Sequence, residues 1–234
     1  MTIKKLAIVT GVGPGTGASI VRRLVADGYR VAMLARNAER LAALQGELAD
    51  THAFPVDVSD SAQLQRTLEQ IQAELGDADV LVHNAVGATF GNFREIDPQA
   101  LEANFHTNVM ALLQLARTLS PAMVEKGQGA IIVTGNTSAL RGKGHFAAFA
   151  PTKAAQRILS ESIARDLGPK GVHVAYLVID AVIDVEWTRK MHPSKPDAFF
   201  IQPDDIAGEV GHLIQQPRSA WSFLSEVRPF GETW

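Results

Sequence analysis

The stretch Leu6–Gly17 (Leu-Ala-Ile-Val-Thr-Gly-Val-Gly-Pro-Gly-Thr-Gly) carries the first chemistry the chain offers: an apolar run breaks into a turn holding Gly11, Gly13, Gly15 and Gly17. Without Cβ atoms, such a backbone can take positive φ and approach a ligand closely. Ala18, Ile20, Val21, Leu24 and Val25 then repeat at helical spacing. The helix they predict starts near Gly15, and its free N–H groups and positive dipole end favour an anion at the turn. In a strand–turn–helix setting that anion is the pyrophosphate of a dinucleotide. Glycines can also serve a plain tight connection. Here the spacing is tighter than a generic turn requires, and no Lys-Ser or Lys-Thr follows, which argues against a triphosphate loop.

A second group lies at the tip of the next apolar run, Arg30–Ala35, which ends on Arg36-Asn37. In a dinucleotide-binding βαβ unit this tip lies beside the adenosine ribose, where a carboxylate accepts the 2′-hydroxyl of NAD and an arginine accommodates the 2′-phosphate of NADP. Arg36 with no acid beside it selects NADP, unless it is simply a solvated surface residue.

These residues must be positioned by alternating strands and helices. Leu6–Val9 is apolar throughout, as a strand covered on both faces would be. Helix 38–49, strand 52–56 closed by Asp57-Val58-Ser59-Asp60, a helix to about Leu75 capped by Ser59 or Asp60, and strand 79–83 ending in Asn84-Ala85 follow in turn. This alternation predicts an α/β fold with a parallel, doubly wound sheet. Ligands in such sheets lie beyond the carboxyl ends of the strands, so Gly11, Arg36, Asp57 and Asn84 converge on one crevice.

Asp97-Pro98 opens a long helix through Met123, with Asn108 on a face that Phe105, Val109 and Leu112 mark as buried. A strand at 129–134, a helix from Phe149 to Leu167 and a strand at 172–179 follow. Residues 180–202 form the longest irregular segment, expected to be a substrate lid. Asp204-Asp205 cap the last helix, and Trp221–Arg228 reads as a seventh, edge strand.

With 234 residues and no linker or repeat, residues 1–234 make one domain. The 46% apolar and 20% charged balance is that of a soluble globular protein. The formal charge of −3 and lack of a dense basic run make nucleic acid and anionic membrane poor partners. There is no cysteine, and the seven histidines form no close pair, so no metal site is expected. Neither a signal peptide nor a membrane span is apparent, and a cytoplasmic location is expected.

Over nearly its whole length the chain resembles the short-chain dehydrogenase/reductase family. Thr10, Gly11, Gly13, Gly15, Thr16 and Gly17 match that family's cofactor turn. Asp57, followed by Val58, matches its adenine-side aspartate, Asn84-Ala85 the core of its Asn-Asn-Ala-Gly stretch, Asn108 its active-site asparagine, and Lys153 the lysine of its Tyr-x-x-x-Lys signature. The resemblance implies a Rossmann-type, three-layer α/β/α domain with a seven-stranded sheet in the order 3-2-1-4-5-6-7, usually a homodimer or homotetramer. It implies hydride transfer between a nicotinamide and a small carbonyl or alcohol substrate.

The departures fall on the chemistry. The signature tyrosine, which donates a proton to the carbonyl oxygen, is Phe149; the serine that polarises the same oxygen is Asn136; the Pro-Gly after the sixth strand is Ile179-Asp180; His83 and Val86 flank Asn84-Ala85. Losing a positioned general acid costs ~10²–10⁴ in rate. Thr137, Ser138, His145, Asp180 or a water beside Lys153 are the candidates to take over, while Tyr29 and Tyr176 sit in or before strands. The reading is an NADP(H)-dependent oxidoreductase with an altered proton-donor site, set against a non-catalytic NADP(H)-binding sensor or partner subunit. A methyltransferase with the same type of glycine turn is a third, weaker reading.

Overall fold

The structure, a computed structural model, describes residues 4–232. Seven parallel strands form the central sheet: β1 (Leu6–Thr10), β2 (Arg30–Ala35), β3 (Thr51–Pro55), β4 (Val80–His83), β5 (Gly129–Asn136), β6 (Val172–Ile179) and, after two short strands, β9 (Leu224–Val227). Their order is β3-β2-β1-β4-β5-β6-β9, the Rossmann-type doubly wound arrangement expected. The reversal of direction on either side of β1 opens a crevice beyond the carboxyl ends of β1 and β4.

Alternation along the central strands divides the core in two. Leu6 and Ile8 of β1 join Leu64 and Leu68 of α3 (Ser61–Leu75), Leu112 and Leu115 of α5 (Ala111–Glu125), and the face covered by α6 (Ala150–Leu167). Ala7 and Val9 point the other way, to Ile20 and Leu24 of α1 (Thr16–Ala26), Leu41 of α2 (Ala38–Glu47), and Ile206 and Val210 of α8 (Pro203–Gln215). Each fully buried leucine, isoleucine or valine among them contributes about 1.5–3 kcal/mol relative to exposure, which is why strands covered on both faces read as continuous apolar runs.

Several local expectations are sharpened or corrected. Of the two possible caps for α3 it is Asp60 whose carboxylate accepts the Gln63 N–H, at 2.9 Å. The helix expected over 98–123 is three pieces: α4 (Pro98–Phe105), capped by Asp97, a π-helical turn (His106–Met110), and α5. Asp204 and Asp205 lie in the first turn of α8 after Pro203, and Gln202 occupies the cap position. Proline there needs no N–H partner and has its φ preset. The last strand is shorter than Trp221–Arg228, because the Trp221 indole stacks on His173 and donates to the Gln216 carbonyl before pairing with β6 begins.

The segment 180–202 is not irregular. Strand β7 (Val182–Ile183) pairs in parallel with β8 (Phe200–Ile201), and α7 (Glu186–Met191) lies between them. No periodicity could reveal two-residue strands. An ion-pair cluster fixes them: Arg189 reaches both oxygens of Asp184 at 2.6 and 2.7 Å and Asp197 at 2.6 Å, with its guanidinium over the Phe200 ring.

Candidate functional site

A cleft of about 800 Å³ opens at the carboxyl ends of the strands. Its floor is the turn Gly11–Gly17; one wall is Arg36, Asn37 and Arg40 with Val56–Ser59, the other Asn84–Thr89 with Asn104 and Thr107, and Ile183, Val185 and Trp187 close over it. Of the residues expected at a cofactor site, Thr10 is buried beneath this floor, Lys153 is buried outside the lining, and the rest line the cleft.

The turn is held by its neighbours. Gly11 has φ +71°, and a Cβ there would meet the Ala85 backbone at 2.6 Å, so only glycine fits. A Cβ on Gly15 would come 2.6 Å from Val185 Cγ1, which shows how closely the covering segment lies on the turn. Thr10 Oγ1 accepts from the N–H groups of Asn84 and Ala85, both at 3.2 Å. The Asn84 side chain donates to the Gly11 carbonyl at 2.9 Å and accepts from Thr134 Oγ1 at 3.0 Å, tying β1, β4 and β5 together.

At the adenosine end expected for the cleft, Arg36 and Arg40 are exposed and no carboxylate stands at the tip of β2. Asn37 caps α2 by accepting the Arg40 N–H at 2.8 Å. Burial pushes the Asp57 carboxyl up, but the Ser59 hydroxyl and N–H, with Arg36 nearby, outweigh that and hold it below the usual carboxylate range.

The residues expected to do chemistry lie deeper, on the α6 side, and outside the cleft lining. Asn108 sits in the π-helical turn, fully buried; its Oδ1 accepts from Gly87 N at 2.9 Å and its Nδ2 donates to the Gly87 carbonyl and to Thr152 Oγ1. Asn136 ends β5, where its Oδ1 accepts the Ser138 N–H at 3.0 Å. Phe149 is 3% exposed and packs edge-on against Phe90, with Phe146 completing a three-ring cluster. Lys153 is 2% exposed, and its ammonium donates to the Thr134 carbonyl at 3.2 Å and to Gln156 Oε1 at 2.5 Å. Desolvation brings this lysine down to about 7. Of the candidate proton donors, Asp180 faces Arg141 at 3.9 Å, Ser138 is buried, and His145 offers its backbone carbonyl to Gly91.

Three contributors were missed by sequence reasoning. Gln156 lies one helical turn beyond Lys153, and its Nε2 donates to the Asn108 carbonyl at 2.7 Å. Tyr176, set aside as a strand residue, brings its hydroxyl to 3.3 Å from Gln156 Oε1 and 3.4 Å from the Lys153 carbonyl. Its ring fills the space a Cβ on Gly135 would need, and burial pushes its hydroxyl well above the usual phenol range. Asn104 donates to the Ala148 carbonyl, stitching α4 to the loop before α6. Gln156 and Lys153 are i, i+3 on one helix face, the one available signal.

The described residues hold no group of histidine, aspartate or glutamate side chains able to bind a metal ion, and no helix among them is long and apolar enough to cross a membrane. The chain matches the family described as short chain dehydrogenase over residues 5–194. It is 30% identical to the 3-oxoacyl-[acyl-carrier-protein] reductase FabG of Escherichia coli over 94% of its length and 89% of that protein's. Among solved structures, it resembles a metagenomic short-chain oxidoreductase in complex with NADP, with a TM-score of 0.83, 28% identity, and 96% of this chain and 97% of that chain covered. An alcohol dehydrogenase from the archaeon Thermococcus sibiricus complexed with 5-hydroxy-NADP matches with a TM-score of 0.87 at 25% identity, covering 98% of both chains. On that match of family, sequence and fold, this chain belongs to the short-chain dehydrogenase family of oxidoreductases.

Proposed function

We propose that the protein is an NADP(H)-dependent oxidoreductase acting on a small carbonyl or alcohol substrate, with a proton-transfer step that does not use the side chain at position 149. The observation that carries this reading is the cleft: a glycine floor at a helix N-terminus, with Arg36 and Arg40 on one wall and no acid at the tip of β2. Its volume falls in the range of ligand sites. The NADP complexes of two similar structures support the same cofactor.

When bound, the nicotinamide supplies the hydride that reduces C=O to C–OH, and one proton completes the alcohol. In this reading the N–H groups at the start of α1 hold the pyrophosphate, Arg36 and Arg40 take the 2′-phosphate, Asp57 and Val58 flank the adenine, and Asn84 and Ala85 keep the turn in shape. Two of the Lys153 ammonium hydrogens are taken by Thr134 and Gln156, which leaves the third for a ribose hydroxyl. Phe149 has no ionisable oxygen, so the proton comes from water admitted to the site, with Lys153 and the Asn136 amide as the groups retained to orient it. Asn108 contributes by clamping Gly87.

Titration with NADPH and NADH, followed by a panel of aldehydes, ketones and quinones, tests the reading. Preferential binding of NADPH and its oxidation by at least one carbonyl are expected. Binding of NADPH with no turnover across the panel would favour a sensor or partner subunit that kept the fold, and no binding would remove the cofactor assignment itself.

A further inference from the structure

The most unusual polar group in the core is Gln156. It is fully buried on the inward face of α6, where a leucine would fill the volume without the cost of desolvating an amide. Both ends of the amide are nevertheless matched. Oε1 faces two donors, the Lys153 ammonium at 2.5 Å and the Tyr176 hydroxyl at 3.3 Å; Nε2 faces an acceptor, the Asn108 carbonyl, at 2.7 Å. Turning the amide over would set donors against donors and a carbonyl against a carbonyl, so the orientation is fixed by its surroundings.

The Asn108 carbonyl belongs to the π-helical turn, whose altered register replaces the ordinary i, i+4 pattern. The same asparagine holds Gly87, on the wall of the cleft, by two side-chain hydrogen bonds. An unbroken chain of contacts therefore runs from the cleft wall through Asn108 and Gln156 to the ammonium of Lys153, and on through Thr134 and Asn84 to the glycine turn.

We propose that Gln156 is a positioning residue for the reaction: it fixes the ammonium of Lys153 and ties it to the turn carrying Asn108, so that the lysine's charge is presented from one place. This rests on the reading of the cleft as an NADP(H) site. The titratable groups around Lys153 are His83 on β4, kept neutral by burial, and Tyr176 on β6, with Arg157, next to Gln156 on α6, acting on the tyrosine. None supplies a negative charge near neutral pH, so the Gln156 and Thr134 carbonyl oxygens are the groups that favour the ammonium, against the burial that lowers it.

The test compares the unaltered protein with Gln156→Glu and Gln156→Leu, using Lys153→Met to identify the lysine's own contribution. In nucleotide-free protein, unfolding midpoints are recorded from pH 6 to pH 10.5. A buried lysine with a lowered affinity for protons makes the fold more stable as pH rises through its folded value, about 7. With glutamate at 156 the onset of that rise moves up by about one pH unit or more, because a carboxylate beside the ammonium favours the charged form; with leucine it moves down. The NADPH dissociation constant, measured over the same range, loses its affinity at correspondingly higher or lower pH. A residue that only fills space would lower the midpoint equally at every pH. An onset unmoved in Gln156→Glu overturns the proposal, whether or not the leucine variant folds. If NADPH fails to bind the unaltered protein, the cofactor reading falls while the unfolding series still decides the role of Gln156.

Discussion

Thr10 Oγ1 and His83 Nδ1 lie 3.0 Å apart beneath the glycine turn, joining the ends of β1 and β4. Thr10 already accepts two backbone N–H groups, so its own hydrogen is directed at Nδ1, and the imidazole proton sits on Nε2. That nitrogen is turned toward the backbone of Thr107 and Asn108 without reaching hydrogen-bond geometry. Burial, reinforced by the Lys153 charge, brings the ring down from 6.5 to about 3. Between those values the unfolded chain holds a proton that the folded one does not, so stability is lost as pH falls from 6.5 toward 3. The loss is on the order of a few kcal/mol. His83→Asn keeps a partner for Thr10 and removes the titration, so urea unfolding at pH 4 and pH 7 should differ less in the variant than in the unaltered protein. Equal differences would show that His83 does not carry this pH dependence.

Arg36 bears on the choice of cofactor. It is exposed on the cleft wall beside Arg40, and a charge-assisted contact to a phosphate contributes about 1.5–3 kcal/mol. Arg36→Ala should weaken NADPH binding ~10- to 100-fold and leave NADH binding within about twofold, read by fluorescence titration. A parallel loss for both nucleotides would mean that Arg36 does not read the 2′ position.

Phe149 decides how the proton is delivered. Its ring is wedged between Phe90 and Phe146, and its backbone carbonyl accepts from Thr152 Oγ1 at 2.8 Å, so the backbone at this position is already fixed. Phe149→Tyr restores a hydroxyl on an unchanged framework and should raise the rate of carbonyl reduction by ~10²-fold, within the range for a positioned acid, with little change in NADPH affinity. A fall from a measurable starting rate would instead place the phenylalanine in a working site built around an apolar ring.

Much of this arrangement could be read from the chain because it is local. The glycine turn, the apolar strands and the Asp97-Pro98 helix start each follow from a few adjacent residues, and their order carries the sheet with it. What could not be read depends on residues far apart in sequence. Gln156 looks like a solvated helix residue until β6 delivers Tyr176 and the π-helical turn delivers the Asn108 carbonyl. The π-helical turn leaves no mark in the periodicity of 98–123, because one extra residue shifts the apolar pattern by less than a third of a turn. The apolar pattern places Asn136 just beyond a strand ending at Thr134, whereas it is the last residue of β5, and its use as a cap for the Ser138 N–H is a matter of side-chain rotation.

The covering segment rests on Arg189. Its two-pronged contact with Asp184 is joined by Asp197 and by Gln202 Nε2, which donates to Asp184 at 2.9 Å. The Arg189 hydrogen bonds come first among the causes that hold the Asp184 carboxyl down to about 2, so the pair stays ionised throughout the physiological range. The pairing between β7 and β8 is only two residues long, too short to persist by itself. Arg189→Ala therefore removes the main tie across the segment while leaving the central sheet untouched. The expected result is faster limited proteolysis between residues 182 and 201 and a ~3- to 10-fold faster release of NADPH, with the global unfolding free energy lowered by less than ~1 kcal/mol, as partly exposed ion pairs contribute little to overall stability. Unchanged proteolysis and release would mean that packing of Val185 on Gly15, and not the arginine, keeps the cleft covered.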